Sequence, residues 1–183
     1  MYKKEHLYLE WLKTVINLKS SMNKGPTPVL LKYFPNLKPF EKSQNIYPEY
    51  FELDCNWVLG CIEGEGCFSV LIKKSTLYNI GYQVQLNFSI VQHSRDILLM
   101  KNFINFFNCG NIYENSKHVT FIVTKLSKIE ENILPFFEKY NLQGQGNKLL
   151  DYVKFKKVGQ LMKNKVHLTS EGLEQIKQIK EDS

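Results

Sequence analysis

The chain has 183 residues, a formal charge of +6 and a pI near 9.0. That length suits one main domain with its own core, and the charge favours a polyanionic partner. There is no apolar run long enough to span a bilayer, and Cys55, Cys61, Cys67 and Cys109 form no CxxC pair of the kind that holds zinc. Arg95 is the only arginine and alanine is absent, whereas Lys, Asn, Ile, Phe and Tyr abound, a bias expected of an A·T-rich genome such as an organelle's. The first residues lack a signal-peptide h-region, and Glu5 and Glu10 argue against a transit peptide.

In chain order, residues 5–19 read as a helix with Leu12, Val15, Ile16 and Leu18 as its apolar members, stopped by Asn23-Lys24-Gly25-Pro26. Residues 27–34 read as a short helix, and 35–50, with Pro35, Pro39 and Pro48, as an extended linker. A helix from about Asp54 to Gly64 is followed by a strand, Phe68 to Lys74, and a polar connection. Residues 81–90 then alternate with period two, with Tyr82, Val84, Leu86, Phe88 and Ile90 on one side and Gln83, Gln85, Asn87 and Ser89 on the other. A solvated face more often carries Lys, Glu and Thr, whereas Gln and Asn pair bidentately with adenine in the major groove. A helix from Ser94 or Asp96 ends at Asn108-Cys109-Gly110, and short strands follow at 111–115 and 118–125. Ile112, Phe121 and Val123 point inward there, and Asn111, Tyr113, Asn115, His118, Thr120 and Ile122 point outward. A helix at 127–139 is expected to break after Leu134 at Pro135, and helices at 147–163 and 169–180 complete the chain.

Residues 5–19 also repeat residues 166–180 without a gap: His6 meets His167, Leu7 Leu168, Glu10 Glu171, Leu12 Leu173, Val15 Ile176 and Leu18 Ile179. The alternative is chance similarity of two amphipathic helices.

The helix beginning near Asp54 ends unusually. Gly60 and Gly64 lie four apart, on one face without side-chain bulk, which lets another helix pack close. Glu63 and Glu65 sit at its C-terminal end, where the macrodipole is negative and a carboxylate is disfavoured by ~0.3–1 kcal/mol. Two acids there call for a cation, and hard oxygen ligands suit Mg²⁺ or Ca²⁺. The alternative is a core helix stopped by Gly64 and Gly66 with two solvated acids.

Val58 to Gly66 resembles the nine-residue motif of LAGLIDADG homing endonucleases, with Gly60 at the third position, Glu65 at the eighth and Gly66 at the ninth. Glu63 at the sixth position and Leu59 at the second depart from the usual pattern. Asn23-Lys24-Gly25 and Phe34-Pro35-Asn36 resemble the linker of two-motif members. The resemblance implies an α+β fold, αββαββα, with a four-stranded antiparallel saddle-shaped sheet and helices on one face. It implies that residues 1–25 end a preceding domain, 26–52 form a linker and 53–183 form a LAGLIDADG domain. Glu65 and the Gly64 carbonyl are then expected to bind Mg²⁺, with Gln92 and Lys125 as further catalytic residues. Gly60 and Gly64 are expected at a motif-helix interface. Alternation places Ser69, Leu71, Lys73, Gln83, Gln85, Asn87, Ser89, Asn111, Tyr113 and Thr120 on double-stranded DNA, with lysines such as Lys73, Lys74, Lys117, Lys154 and Lys157 on phosphates.

The expected activity is site-specific DNA cleavage by an intron-encoded, mitochondrial enzyme. One motif supplies one carboxylate, so the partner is a second LAGLIDADG domain, either a missing N-terminal half or a homodimer copy. A maturase acting on intron RNA and a DNA-binding remnant without cleavage are the alternatives.

Overall fold

The computed structural model describes residues 8–20, 25–36, 51–142 and 147–181. The His6-Leu7 start of the repeat, the Asn23-Lys24 stop and the linker prolines Pro39 and Pro48 lie outside the described residues. The chain divides into two compact units, Met1–Ile46 and Tyr47–Ser183.

The first unit holds α1 (Leu9–Ser20) and α2 (Pro28–Tyr33). The Thr27 hydroxyl accepts from the Leu30 N–H and Pro28 opens α2, a start signal legible in the sequence. Ile16 and Ser20 are buried in α1, but Trp11, Leu12, Val15 and Leu18 are exposed.

The second unit begins with α3 (Cys55–Glu65), where one Asp54 carboxylate oxygen accepts from the N–H groups of Asn56 and Trp57 at 2.9 Å each. The helix turns straight into β1 (Gly66–Lys74). Gly66 is required by space, since a Cβ there would lie 2.6 Å from the Ile62 carbonyl oxygen. β2 (Tyr82–His93) pairs antiparallel with β1, Gly66 facing Ile90 and Lys74 facing Tyr82. A short 3₁₀ turn, Ser94–Asp96, leads into α4 (Ile97–Phe107), which Asn108 ends in the left-handed conformation at φ 50°. β3 (Asn111–Glu114) and β4 (His118–Val123) form a hairpin, and β4 docks on β2, so the antiparallel sheet runs β1-β2-β4-β3.

Next come α5 (Leu126–Lys128), a π-helical turn (Ile129–Ile133) and α6 (Leu134–Lys139). The expected break at Pro135 is corrected here. The wider π turn takes up the missing N–H and the bulk of the ring, and the helix continues through the proline. α7 (Asn147–Lys163), a 3₁₀ turn and α8 (Ser170–Glu181) complete the fold.

The alternation read in the sequence builds the core. Val84, Leu86, Phe88 and Ile90 of β2 join Phe68, Val70, Val119, Phe121 and Val123 from the other strands and meet Val58, Ile62, Met100, Phe103, Phe155 and Val158 from the helices. Phe68 is the hub, with ring centroids 5.1 Å from Phe88 and Phe137, 5.3 Å from Tyr152 and 5.5 Å from Phe155. The helices of this unit thus cover one sheet face. The other face carries the amides.

Between α7 and α8, His167 is half-buried and its Nδ1 has no hydrogen-bond partner. Burial pulls its pKa below the ordinary imidazole value of 6.5, opposed by a hydrogen bond to the Leu161 carbonyl. Below pH 6.5 the unfolded chain therefore takes up a proton that the folded chain resists. Stability is expected to be level, as far as this group is concerned, above that pH and to fall as the pH drops towards the lowered folded value. Urea midpoints measured across this range for the wild type and His167→Gln check it, because the variant loses this part of the slope.

Candidate nucleic-acid interface and metal half-site

The motif helix ends with three carbonyls pointing at a single cation. Lys148 Nζ, in the first turn of α7, donates to the carbonyl oxygens of Ile62 at 3.0 Å, Glu63 at 2.8 Å and Gly64 at 3.0 Å. The Ile62 carbonyl also accepts from the Gly66 N–H that caps the helix, and the ammonium offsets the negative end of the dipole. The sequence pattern demanded a cation at this point. It gave no sign that a lysine more than eighty residues away supplies one.

Glu65 is exposed beside this cluster. The Cys61 thiol registers the arrangement: burial pushes its pKa up, Glu65 pushes it further up and Lys148 pulls it down. Carboxylate and ammonium therefore both lie close to Cys61 at the helix end.

A divalent cation fits these groups in part. The Glu65 carboxylate and the Gly64 carbonyl are hard oxygen donors, and a carbonyl oxygen that accepts one hydrogen bond keeps a second lone pair for a metal. Among the described residues, however, no three His, Cys, Asp or Glu converge on one point. The end of α3 offers these two oxygen donors at a surface. Replacing Lys148 with Met is expected to lower stability by about 1–2 kcal/mol, because charge-assisted bonds to the carbonyls at the helix end are lost. Urea unfolding of Lys148→Met measures this.

The strand register sorts the other expected catalytic residues. Gly66 pairs with Ile90, so Gln92 lies two positions beyond the start of β1, at the end of the sheet where α3 delivers Glu65. Lys125 does not join them. β4 starts at that end of the sheet, with His118 facing His93, and runs away from it. Val123, which faces Phe88, already lies roughly 10 Å along the strand direction from the level of Glu65, and Lys125 comes two residues later. Lys125, expected as a catalytic residue at the end of the fourth strand, therefore stands apart from Glu65, and the cation beside Glu65 is Lys148.

Above the core, the uncovered sheet face carries the predicted DNA-facing set in cross-strand rows. Lys73 faces Gln83, Leu71 faces Gln85, Ser69 faces Asn87 and Cys67 faces Ser89. Further across, Ser89 faces Ile122, which faces Asn111, and Thr120 faces Tyr113. Lys73, Asn111 and Tyr113 are exposed, and Leu71, Gln83, Gln85 and Thr120 half-buried. Ser89 is on the expected face but only 8% exposed, since its short side chain sinks between larger neighbours, so it is unsuited to reading bases. Asn87 and Ser69 bond each other, Asn87 Nδ2 donating to Ser69 Oγ at 3.2 Å and Ser69 Oγ donating to the Asn87 carbonyl at 3.3 Å. The alternation read in the sequence covers residues 81–90, with Gln92 expected to end the strand. The strand runs on to His93 and adds Val91 and His93 to the same face.

Some of the charge on the helix side is neutralised in pairs. The helix lysines Lys128, Lys156, Lys163 and Lys177 pair with Glu131, Glu138, Glu130 and Glu174. None of the ion pairs among the described residues involves Lys73, Lys74, Lys117 or Lys125, which flank the sheet. Among the described residues, no helix is long and apolar enough to cross a membrane.

Comparison with known proteins adds the following. Residues 58–159 match the family model described as LAGLIDADG endonuclease. The probable intron-encoded endonuclease 2 of Neurospora crassa is 40% identical over 190 residues, a match covering 98% of this chain and 40% of that protein. The solved structure of I-SmaMI bound to an uncleaved DNA target in the presence of calcium ions superposes with a TM-score of 0.88 at 36% identity, covering 98% of this chain and 60% of that one. I-LtrWI bound to target DNA gives a TM-score of 0.84 at 39% identity, covering all of this chain and 60% of that one. The chain therefore spans well under two thirds of the length of each of these relatives.

Proposed function

This chain belongs to the LAGLIDADG endonuclease family, and we propose that it is the C-terminal half of a site-specific, metal-dependent DNA endonuclease of the homing type. The observation that carries the reading is the junction of α3 with the sheet: the motif helix brings Glu65 and the Gly64 carbonyl to the end of a bare, amide-lined face. In this reading the sheet lies in the major groove. Gln83 and Gln85 read base edges and the unpaired lysines Lys73, Lys74 and Lys117 meet phosphates. Glu65 and Gly64 hold one side of a divalent cation, Mg²⁺ by its fit to hard oxygens. Such a cation, when bound, stabilises charge on the phosphate and activates a water. Gln92 orients that water by hydrogen bonding. Lys148 keeps the Gly64 carbonyl in place and lessens the repulsion between Glu65 and the DNA.

The absence of alanine and the wealth of Lys, Asn and Ile fit a mitochondrial intron as the coding sequence. The uncovered sheet face lined by Gln83 and Gln85 suits base edges in a major groove, and this favours DNA in the sheet over a maturase acting on RNA.

Substituting Gln83 or Gln85 by Ala is expected to relax specificity at one or two base pairs by about 1–3 kcal/mol each. Binding to a panel of single-base target variants measures it. Equal weakening on all sequences would remove the base-reading role.

A further inference from the structure

We propose that Val91, together with the methyl group of Thr120, reads a thymine methyl group in the part of the DNA site closest to Glu65. The inference rests on the DNA-binding reading above. β2 extends past Ile90, so Val91 lies on the uncovered face, directly opposite Thr120, which in turn faces Tyr113. Every residue that β2 sets on this face before it is an amide or a serine: Gln83, Gln85, Asn87 and Ser89. Val91 interrupts that series with a purely apolar side chain that is 40% exposed. Nothing in β1 covers it, because β1 begins at Gly66, one step short of its level, and Glu65 immediately precedes Gly66.

A lone exposed valine needs no explanation on an ordinary surface. This one has company, since Ile122 lies on the same face beside Thr120, and both are half-buried. The strip is therefore apolar where the rest of the strand is polar. The major groove offers hydrogen-bonding edges on every base but an apolar group only on thymine, its C5-methyl. An apolar strip on a groove-facing sheet thus has one complementary feature in DNA. The amides further along the strand have the others.

The test uses the full chain and a randomised DNA duplex pool. Sites selected by the wild type are expected to share a thymine. Replacing that thymine by uracil, which deletes only the methyl group, is expected to weaken wild-type binding about three- to fivefold, the worth of one buried methyl. A 5-methylcytosine at the same position is expected to bind better than cytosine. Val91→Ala should lose the uracil penalty, and Val91→Thr, which keeps the β-branched shape that strands favour, should reduce it. Wild-type indifference to uracil at every thymine of the site overturns the inference, as does the same penalty in Val91→Ala. A chain that selects no DNA sequence from the pool overturns the DNA-binding reading itself, and this inference with it.

Discussion

Glu65→Gln is expected to abolish metal-dependent cleavage while leaving DNA binding intact, in any assembly that contains this chain and a second motif. Glutamine keeps the size and one oxygen of the side chain but removes the charge that holds the cation. The loss is expected to be on the order of a hundredfold or more, the scale at which single electrostatic groups act on a transition state. Binding should survive because Glu65 is exposed at the end of α3 and outside the base-reading rows. Glu63→Gln is the matched control. It lies two residues back, so it points to another side of the helix, and it is expected to matter less. Gel-shift and cleavage assays on the same preparations separate the two effects. Undiminished cleavage by Glu65→Gln would remove the nuclease assignment. A wild-type assembly that binds but never cuts would support the remnant.

Local rules made much of this legible beforehand. The helix start expected near Asp54 is there, and its carboxylate caps two orphan N–H groups; the stop expected at Asn108-Cys109-Gly110 holds because asparagine tolerates positive φ. The period-two run from Tyr82 to Ile90 fixed both faces of the central strand, since one face had to be buried. What was missed depends on distance or on neighbours. Lys148 reaches the motif helix through tertiary folding, and nothing near residue 64 in the sequence announces it. Lys125 looked suitable as the residue ending a strand, but the direction of β4 decides which end that is, and register is a property of the pair. Ser89 obeys the alternation and is still inaccessible, because periodicity predicts orientation and the size of neighbouring side chains predicts exposure. Pro135 is a helix breaker in isolation, and the π turn just before it lets it sit in the first turn of α6.

The isolated chain is expected to sediment as a monomer and to cut DNA poorly or not at all in Mg²⁺. Its motif helix buries Val58 and Ile62 completely on the inner side, yet a Cβ built at Gly60 or Gly64 meets nothing within 4 Å. Among the described residues the small-residue face is open, with room for a helix. The internal repeat points to what is missing. Leu173 and Ile176 of α8 are buried in their own domain, whereas their counterparts in α1, Leu12 and Val15, are each 39% exposed. We therefore infer that α1 is the last helix of a preceding LAGLIDADG domain, which would cover both α1 and the Gly60–Gly64 face. A homodimer would close the motif helices about a twofold axis, but it gives α1 no such origin. Gly60→Ala tests the face directly. In the chain alone, alanine replaces a helix glycine where there is space, so stability is expected to rise by up to about 1 kcal/mol and Tm by roughly 2–4 °C. Once a second motif domain is supplied, the same methyl group holds the helices apart, and association and cleavage are expected to fall. Calorimetry on the isolated chain and a cleavage assay on the completed assembly read the two opposite signs. Unimpaired cleavage by Gly60→Ala would show that this face is not the interface. A stable dimer of the isolated chain that makes specific double-strand cuts would show that the chain is a whole enzyme subunit.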